Sequence, residues 1–314
     1  MKVRTHYVGT DDGQQLYVSD VGEGPAIVCC NGVGVSTFFW SYLQDAFREG
    51  HRVILWDYRG HGRSSLPPDP EHADLSIERF SKDLEHVLRT LHIDQPVLVG
   101  HSMGCQVILQ YAADHPGEVA GLVPMLGTFA KPLDTLLDSP LSKPIFDVVH
   151  KLALGAGRGG RRWFRPLVGA PWAVDLAKRT GLVDRHYADR KDLEMYLGHL
   201  NRMDPRVLWS TVAQIAEHDL TDRLAEIDVP TLVIAAENDL FTPMHRSREM
   251  VRRLPEAELF VLAEGSHAAL VEHPEAINHR IARFLQEIGV DAGAEDPDPS
   301  AADGDDDGGS PPPR

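Results

Sequence analysis

Cysteine is scarce. Cys29, Cys30 and Cys105 are the whole supply in 314 residues. The number is odd and two are neighbours in an apolar stretch, so a disulfide framework is not expected. The three read as small, reduced core residues of a reducing compartment. Also missing is any apolar run near the roughly 18 residues that span a bilayer. The N-terminal stretch MKVRTHYVGTDDGQQ lacks the apolar centre of a secretory leader. A cytoplasmic location is therefore expected. Basic residues are outnumbered, 31 Lys and Arg against 47 Asp and Glu, a net charge of −16. Residues 291–314 hold eight of the acids against Arg314 alone, yet the remainder is still acidic. That argues against a general nucleic-acid binder, whose affinity rests on neutralising phosphates. The tail has no large apolar residue to offset the entropy of ordering, so disorder is expected there. The composition that remains, 42% hydrophobic and 25% charged, is that of a globular protein. A chain of this length buries a core without a disulfide or metal staple.

The patterning alternates. Two short strand-like runs, 3–8 and 15–20, flank the turn Asp11-Asp12-Gly13, a hairpin signal. Ala26 to Cys30, Val53 to Trp56, Pro96 to Val99, Val119 to Leu126, Thr231 to Ala236 and Glu258 to Leu262 are short apolar runs suited to buried strands. Between them lie helical patterns. Ile77, Phe80, Leu84, Val87, Leu88 and Leu91 form one 3.6-period stripe over 77–91, with Ser76 as its N-cap. Helices are also expected after Ser102 to about Asp114, over 243–254 and over 272–288. Strand and helix in alternation predict a mostly parallel sheet covered by helices. Residues 128–225 differ, with helical spacing broken by six prolines and no buried strand. They read as a helical insertion between two strands.

The sharpest motif is Gly100-His101-Ser102-Met103-Gly104, which fits G-x-S-x-G. A serine on a tight strand-to-helix turn is lifted clear of a sheet as a nucleophile, and small residues at both ends permit the bend. A serine hydroxyl needs a base, and the base needs an orienting carboxylate. After the strand 231–236 comes Glu237-Asn238-Asp239, and after 258–262 comes Ala263-Glu264-Gly265-Ser266-His267. Both candidates follow strand C-terminal ends, where ligands bind in open α/β sheets. Ser102, Asp239 and His267 are thus the expected catalytic residues.

Together with Trp56-Asp57-Tyr58-Arg59-Gly60-His61-Gly62-Arg63-Ser64, these motifs over about 10–290 resemble the α/β-hydrolase superfamily. The resemblance is to its soluble esterases and lipases with a helical cap. It implies an α/β-hydrolase fold, a mostly parallel sheet with helices on both faces and an inserted helical cap. Residues 1–127 and 226–290 would form the core, 128–225 the cap and 291–314 the tail. It also implies an oxyanion hole from the backbone N–H groups of Val33 and Met103, with Gly32, Gly100 and Gly104 supporting the loop and elbow. The family's usual His-Gly pair is here Asn31-Gly32, which leaves open how that loop is braced. The implied reaction is hydrolysis of a small-molecule ester or lipid-like substrate, with medium acyl chains expected. Lactone hydrolysis, perhydrolysis and C–C bond hydrolysis on the same scaffold are alternatives, as is a non-catalytic binding protein.

Rival residues have ordinary readings. Asp57 follows a strand but is expected to tie down its own loop, and Glu237 is a weaker acid candidate. His101 is expected to pack inside the elbow, His61 and His273 to be structural, and His199 and His218 to be core or surface residues. Gly155 to Gly160 matches G-x-G-x-x-G without the strand–turn–helix context of a dinucleotide site. No phosphate loop, H-E-x-x-H or Cys/His spacing suggests a cofactor or metal, and none is expected. Residues 150–191 hold ten bases against three acids. That face is expected to be solvated, with contact to anionic lipid as the sharper reading.

Overall fold

The computed structural model describes residues 2–132 and 189–290. The expected disorder of the tail and the Gly155–Gly160 motif lie outside them. So does the basic stretch before Asp189. Eight strands form one sheet: β1 (Arg4–Gly9), β2 (Gln15–Val21), β3 (Ala26–Cys30), β4 (Arg52–Trp56), β5 (Val97–His101), β6 (Gly121–Met125), β7 (Thr231–Ala236) and β8 (Ala257–Leu262). Their order is β1-β2-β4-β3-β5-β6-β7-β8. Only β2 runs against the rest. Among the described residues the helices are α1 (Ser41–Phe47), α2 (Ile77–Thr90), α3 (Met103–Asp114), α4 (Arg190–Arg202), α5 (Pro205–Ile215), α6 (Met244–Arg253), α7 (Ala269–Glu272) and α8 (Pro274–Glu287). None of them is long and apolar enough to cross a membrane.

The central strands are apolar throughout because both faces are covered. In β3, Ala26, Val28 and Cys30 point into a core shared with α2 and α3, while Ile27 and Cys29 point into one shared with α1 and α8. All three cysteines are buried and free. The Ser76 hydroxyl caps α2 by accepting from Arg79 N at 3.2 Å. Pro124 sits in the central strand β6. It has no N–H, and the β6–β7 register is paired only at Leu122↔Thr231 and Met125↔Ile234.

Three features depart from the sequence reading. The 3-10 turn Thr37–Trp40 and the helix α1 were not expected; α1 buries only Leu43 and Phe47, one i,i+4 pair with no periodic stripe to read. The expected helix over 272–288 begins later, at Pro274, and the short helix α7 before it was not expected. Pro274 lacks an N–H and fits only the first turn, so α8 begins there and α7 stands apart. The strand expected over Val119–Leu126 is shorter, Gly121–Met125.

The strand order reverses between β3 and β5, since β3 is joined on one side to β4 and on the other to β5. In such sheets the C-terminal ends of the strands at that reversal are the usual ligand position. The helices α4 and α5 come between β6 and β7 in the chain. They are seated on the core by polar contacts. Gln214 of α5 accepts from Leu75 N and donates to Ala73 O, both at 2.9 Å. His218, just beyond α5, is held between Gln106 and Gln110 of α3 at 3.1 and 2.9 Å.

Candidate active site

At the top of β5 the chain turns into α3 within a single residue. Ser102 holds φ 55° and ψ −116°, a conformation that side chains rarely adopt. Such strain costs about 1–3 kcal/mol and persists only where the surroundings impose it. They do so here through close backbone approach. A Cβ on Gly104 would lie 2.1 Å from Cys30 O, and one on Gly100 2.4 Å from Gly104 O. The loop after β3 is equally close to the elbow: a Cβ on Gly32 would lie 3.1 Å from Ser102 Cβ.

Ser102, His267 and Asp239 are brought together from three separate turns. Ser102 Oγ is 3.0 Å from His267 Nε2, and His267 Nδ1 is 2.9 and 3.1 Å from the two Asp239 oxygens. The carboxylate accepts only, so Nδ1 carries the proton and Nε2 presents its lone pair to the serine O–H. Asp239 also accepts from Phe241 N, Thr242 N and the Thr242 hydroxyl. Burial pushes its pKa up, but the facing His267 and these hydrogen bonds outweigh it and hold the carboxyl below its ordinary range.

Asp57 takes the role expected of it. Its oxygens accept from Thr37 N and Arg63 N, tying the loop after β4 to the turn after β3. Burial raises its pKa against these bonds. The two acids that follow strands thus differ in kind: one faces an imidazole and stays ionised, the other faces backbone amides.

Val33 N–H and Met103 N–H have no hydrogen-bond partner among the described residues. Met103 opens α3, where amides are unsatisfied within the helix. The brace of the loop after β3 is Asn31. Its amide donates to Trp56 O at 2.6 Å and accepts from Trp40 Nε1 at 2.7 Å, all buried. The 3-10 turn missed in the sequence supplies Trp40 to this brace.

Two further supports were not anticipated. Ser266, beside His267, donates its N–H and hydroxyl to the buried Glu272 carboxylate at 2.9 and 2.6 Å. The available signal was an acid in the otherwise apolar run Ala269-Leu270-Val271-Glu272. His101 packs inside the elbow as expected, and its Nε2 donates to His267 O at 3.0 Å. Burial pushes the His101 pKa down to about 3, so its ring is neutral. His61 and His218 are buried, as is His199.

Known proteins resemble this chain in sequence or in fold. A protein of Variovorax paradoxus, given the name carbamate hydrolase RutD as a proposed assignment, is 30% identical over 272 residues, 85% of this chain and 93% of its own. An esterase from Exiguobacterium antarcticum has a TM-score of 0.74 at 20% identity, over 90% of this chain and all of that one. An enol-lactonase from Burkholderia xenovorans has a TM-score of 0.73 at 23% identity, over 89% of this chain and 99% of that one. Residues 25–274 match the family model described as the alpha/beta hydrolase fold. With the sheet order and the elbow already described, the chain belongs to the α/β-hydrolase family.

Proposed function

We propose that this protein is a serine hydrolase that cleaves carboxylic esters through an acyl-enzyme. The observation that carries the reading is the unbroken hydrogen-bond line from Asp239 through His267 to a serine on a strained elbow. Ser102 Oγ attacks the ester carbonyl carbon while His267 Nε2 takes the serine proton. The carbonyl π pair moves to oxygen, and the N–H groups of Val33 and Met103 receive it. Preorganised donors of this kind typically lower a barrier by about 3–4 kcal/mol each. The tetrahedral centre collapses, the C–O bond to the alcohol breaks, and His267 returns the proton to the leaving oxygen. Water then repeats the sequence on the acyl-enzyme, releasing the acid and the free serine. Asp239 holds the imidazole in the required tautomer throughout.

In this reading residues 128–225, of which 133–188 lie outside the described residues, serve as a cap over the site and select the substrate. An apolar roof favours acyl chains that fill it, by about 0.8 kcal/mol per buried CH₂. Esters of medium-chain acids are therefore the substrates, and the three buried thiols suit the reducing cytoplasm. The test is a p-nitrophenyl ester series from acetyl to octanoyl. The reading expects kcat/KM to rise about fourfold per methylene until the pocket is full. A flat series or a sharp preference for acetyl would remove the apolar acyl pocket.

A second reading is carbamate hydrolysis, favoured by the name of the relative that is 30% identical. The same attack on a carbamate carbonyl needs no other residue. Phenyl carbamates in the same assay separate the two: faster turnover of the carbamate than of the matched ester would favour it.

A further inference from the structure

His267 stands in the short segment between β8 and α7, and α7 folds a second carboxylate back onto that segment. Glu272, the last residue of α7, is 6% exposed, and Ser266 is 2% exposed. One residue approaches both carboxylate oxygens: Ser266 N–H donates to Oε2 at 2.9 Å and the Ser266 hydroxyl to Oε1 at 2.6 Å. Ser266 Oγ in turn accepts from Ala268 N at 3.1 Å. That bond fixes how the hydroxyl is used: a lone pair faces Ala268 and the proton faces Glu272. The residues on both sides of His267 therefore hang on one carboxylate, Ser266 directly and Ala268 through the hydroxyl. Burying an acid in the run Ala269-Leu270-Val271-Glu272 costs free energy, and these bonds offset it.

The clamp is anchored in the core. Ala269, Leu270 and Val271 are buried in the same apolar cluster as Ile281 and Phe284 of α8. Backbone bonds close the turn: Ala269 N donates to Ser266 O at 3.1 Å and Glu272 N to Ala268 O at 3.2 Å. On the other side Asn238 N donates to Gly265 O at 3.0 Å, joining the His267 segment to the Asp239 turn. From the elbow, His101 Nε2 holds His267 O at 3.0 Å. The main chain around His267 is thus tied to three elements at once.

A general base works only within hydrogen-bond reach of the proton it takes. His267 Nε2 is 3.0 Å from Ser102 Oγ while Nδ1 is 2.9 Å from Asp239 Oδ2. The imidazole is carried on two rotatable bonds, so the main chain at 266–268 decides where both nitrogens fall. Asp239 fixes the tautomer and the direction of the ring. It does not fix the main chain from which the ring projects. A group misplaced by about 1 Å costs on the order of 10²-fold in rate. The bonds of Glu272 to Ser266 supply the missing restraint.

We propose that Glu272 is a positioning residue of the general base: through Ser266 its carboxylate fixes the main chain on both sides of His267, and with it the reach of Nε2 to the Ser102 hydroxyl. The assignment rests on the Ser102 chemistry proposed above. It makes Glu272 a determinant of kcat and not of substrate affinity, because its side chain is buried and bonded to Ser266.

The test compares the full chain with its Glu272→Ala, Glu272→Gln and Ser266→Ala variants, each rate scaled to the folded fraction. Hydrolysis of p-nitrophenyl hexanoate gives kcat and KM, and a fluorophosphonate gives the rate of Ser102 phosphonylation. Glu272→Ala should lower kcat about a hundredfold, change KM less than about threefold, and slow phosphonylation by a similar factor to kcat. Glu272→Gln keeps an oxygen for Ser266 N–H and should lose no more than about tenfold. Ser266→Ala keeps its N–H on Glu272 and loses the bridge to Ala268, so about tenfold in kcat is expected; it stands in if Glu272→Ala does not fold. An unchanged kcat per folded chain, or a rise in KM alone, leaves Glu272 a role in stability and overturns the proposal. A second readout needs no ester. The His267 Nδ1 proton, hydrogen-bonded to Asp239, gives a downfield proton resonance in the wild type. It should be lost to solvent exchange in Glu272→Ala and kept in Glu272→Gln. An unchanged resonance in Glu272→Ala refutes the clamp even if no ester is turned over, whereas a wild-type Ser102 that is never phosphonylated refutes the ester reading and leaves this readout standing.

Discussion

At the scale of single residues, the proposed mechanism divides function and support between two carboxylates that look alike in the sequence. Asp239 and Asp57 both follow buried strands and both are buried, but only Asp239 faces His267. Asp239→Asn should lower kcat by about 10⁴, because the amide holds the wrong imidazole tautomer. Asp57→Asn should lower kcat less than tenfold, and should instead destabilise the fold by leaving Thr37 N and Arg63 N facing an amide. Steady-state kinetics and melting curves on the two variants check this, and the reverse pattern would reassign the acid. Asn31 is a second such residue. Asn31→Ala strands the Trp40 N–H and one acceptor pair of Trp56 O in a dry core, a loss of about 2 kcal/mol. Urea unfolding reads that loss directly. Asn31→Ala should also reduce kcat, since the loop carrying the Val33 N–H loses its brace.

At the scale of elements, the elbow depends on three backbones meeting at close range. Gly104→Ala pushes a methyl into Cys30 O, so β3 and α3 must part or the strained serine must relax. Activity should fall at least a hundredfold, with a lower melting temperature; near-wild-type kinetics would mean that the strain at Ser102 is dispensable. Most of these elements were legible in the sequence because a strand covered on both faces and a helix covered on one leave different apolar periods. Thr231–Ala236 reads as a strand and Ile77–Thr90 as a helix on that ground alone. The elements that escaped are those too short to have a period, such as Ser41–Phe47 and Ala269–Glu272. The same limit hid part of the site. Ser102, Asp239 and His267 stand at strand ends, which the apolar runs mark. The Asn31–Trp40 bond and the Ser266–Glu272 bond depend on how short turns fold back, and no periodicity records that. Pro274 is the reverse case: its missing N–H was visible in the sequence, and the expected helix 272–288 should have begun there.

At the scale of the whole molecule, the buried histidines set an acid limit on stability. His61, His101 and His199 are held near pKa 4, 3 and 4 by burial and are neutral in the fold. Unfolded, each returns to about 6.5, so the unfolded chain binds more protons between those values. Stability therefore falls as the pH drops below about 6.5, by ~2 kcal/mol for each imidazole at pH 5. Carboxylates held low by arginine, such as Asp11 and Asp12, lose their contribution only below their ordinary range near 4. Melting temperature against pH should thus begin to fall at pH 6.5, well above the carboxylate region, and a flat curve down to pH 5 would contradict the burial of these rings. On the proposed function, the scaffolding around Ser102 activates one hydroxyl among the many in the chain. Reaction with a fluorophosphonate followed by peptide mass spectrometry tests it most directly. One adduct per chain is expected, on Ser102, absent in Ser102→Ala and formed at least a hundredfold more slowly in His267→Ala. An unlabelled chain, or a label on another residue, would contradict it.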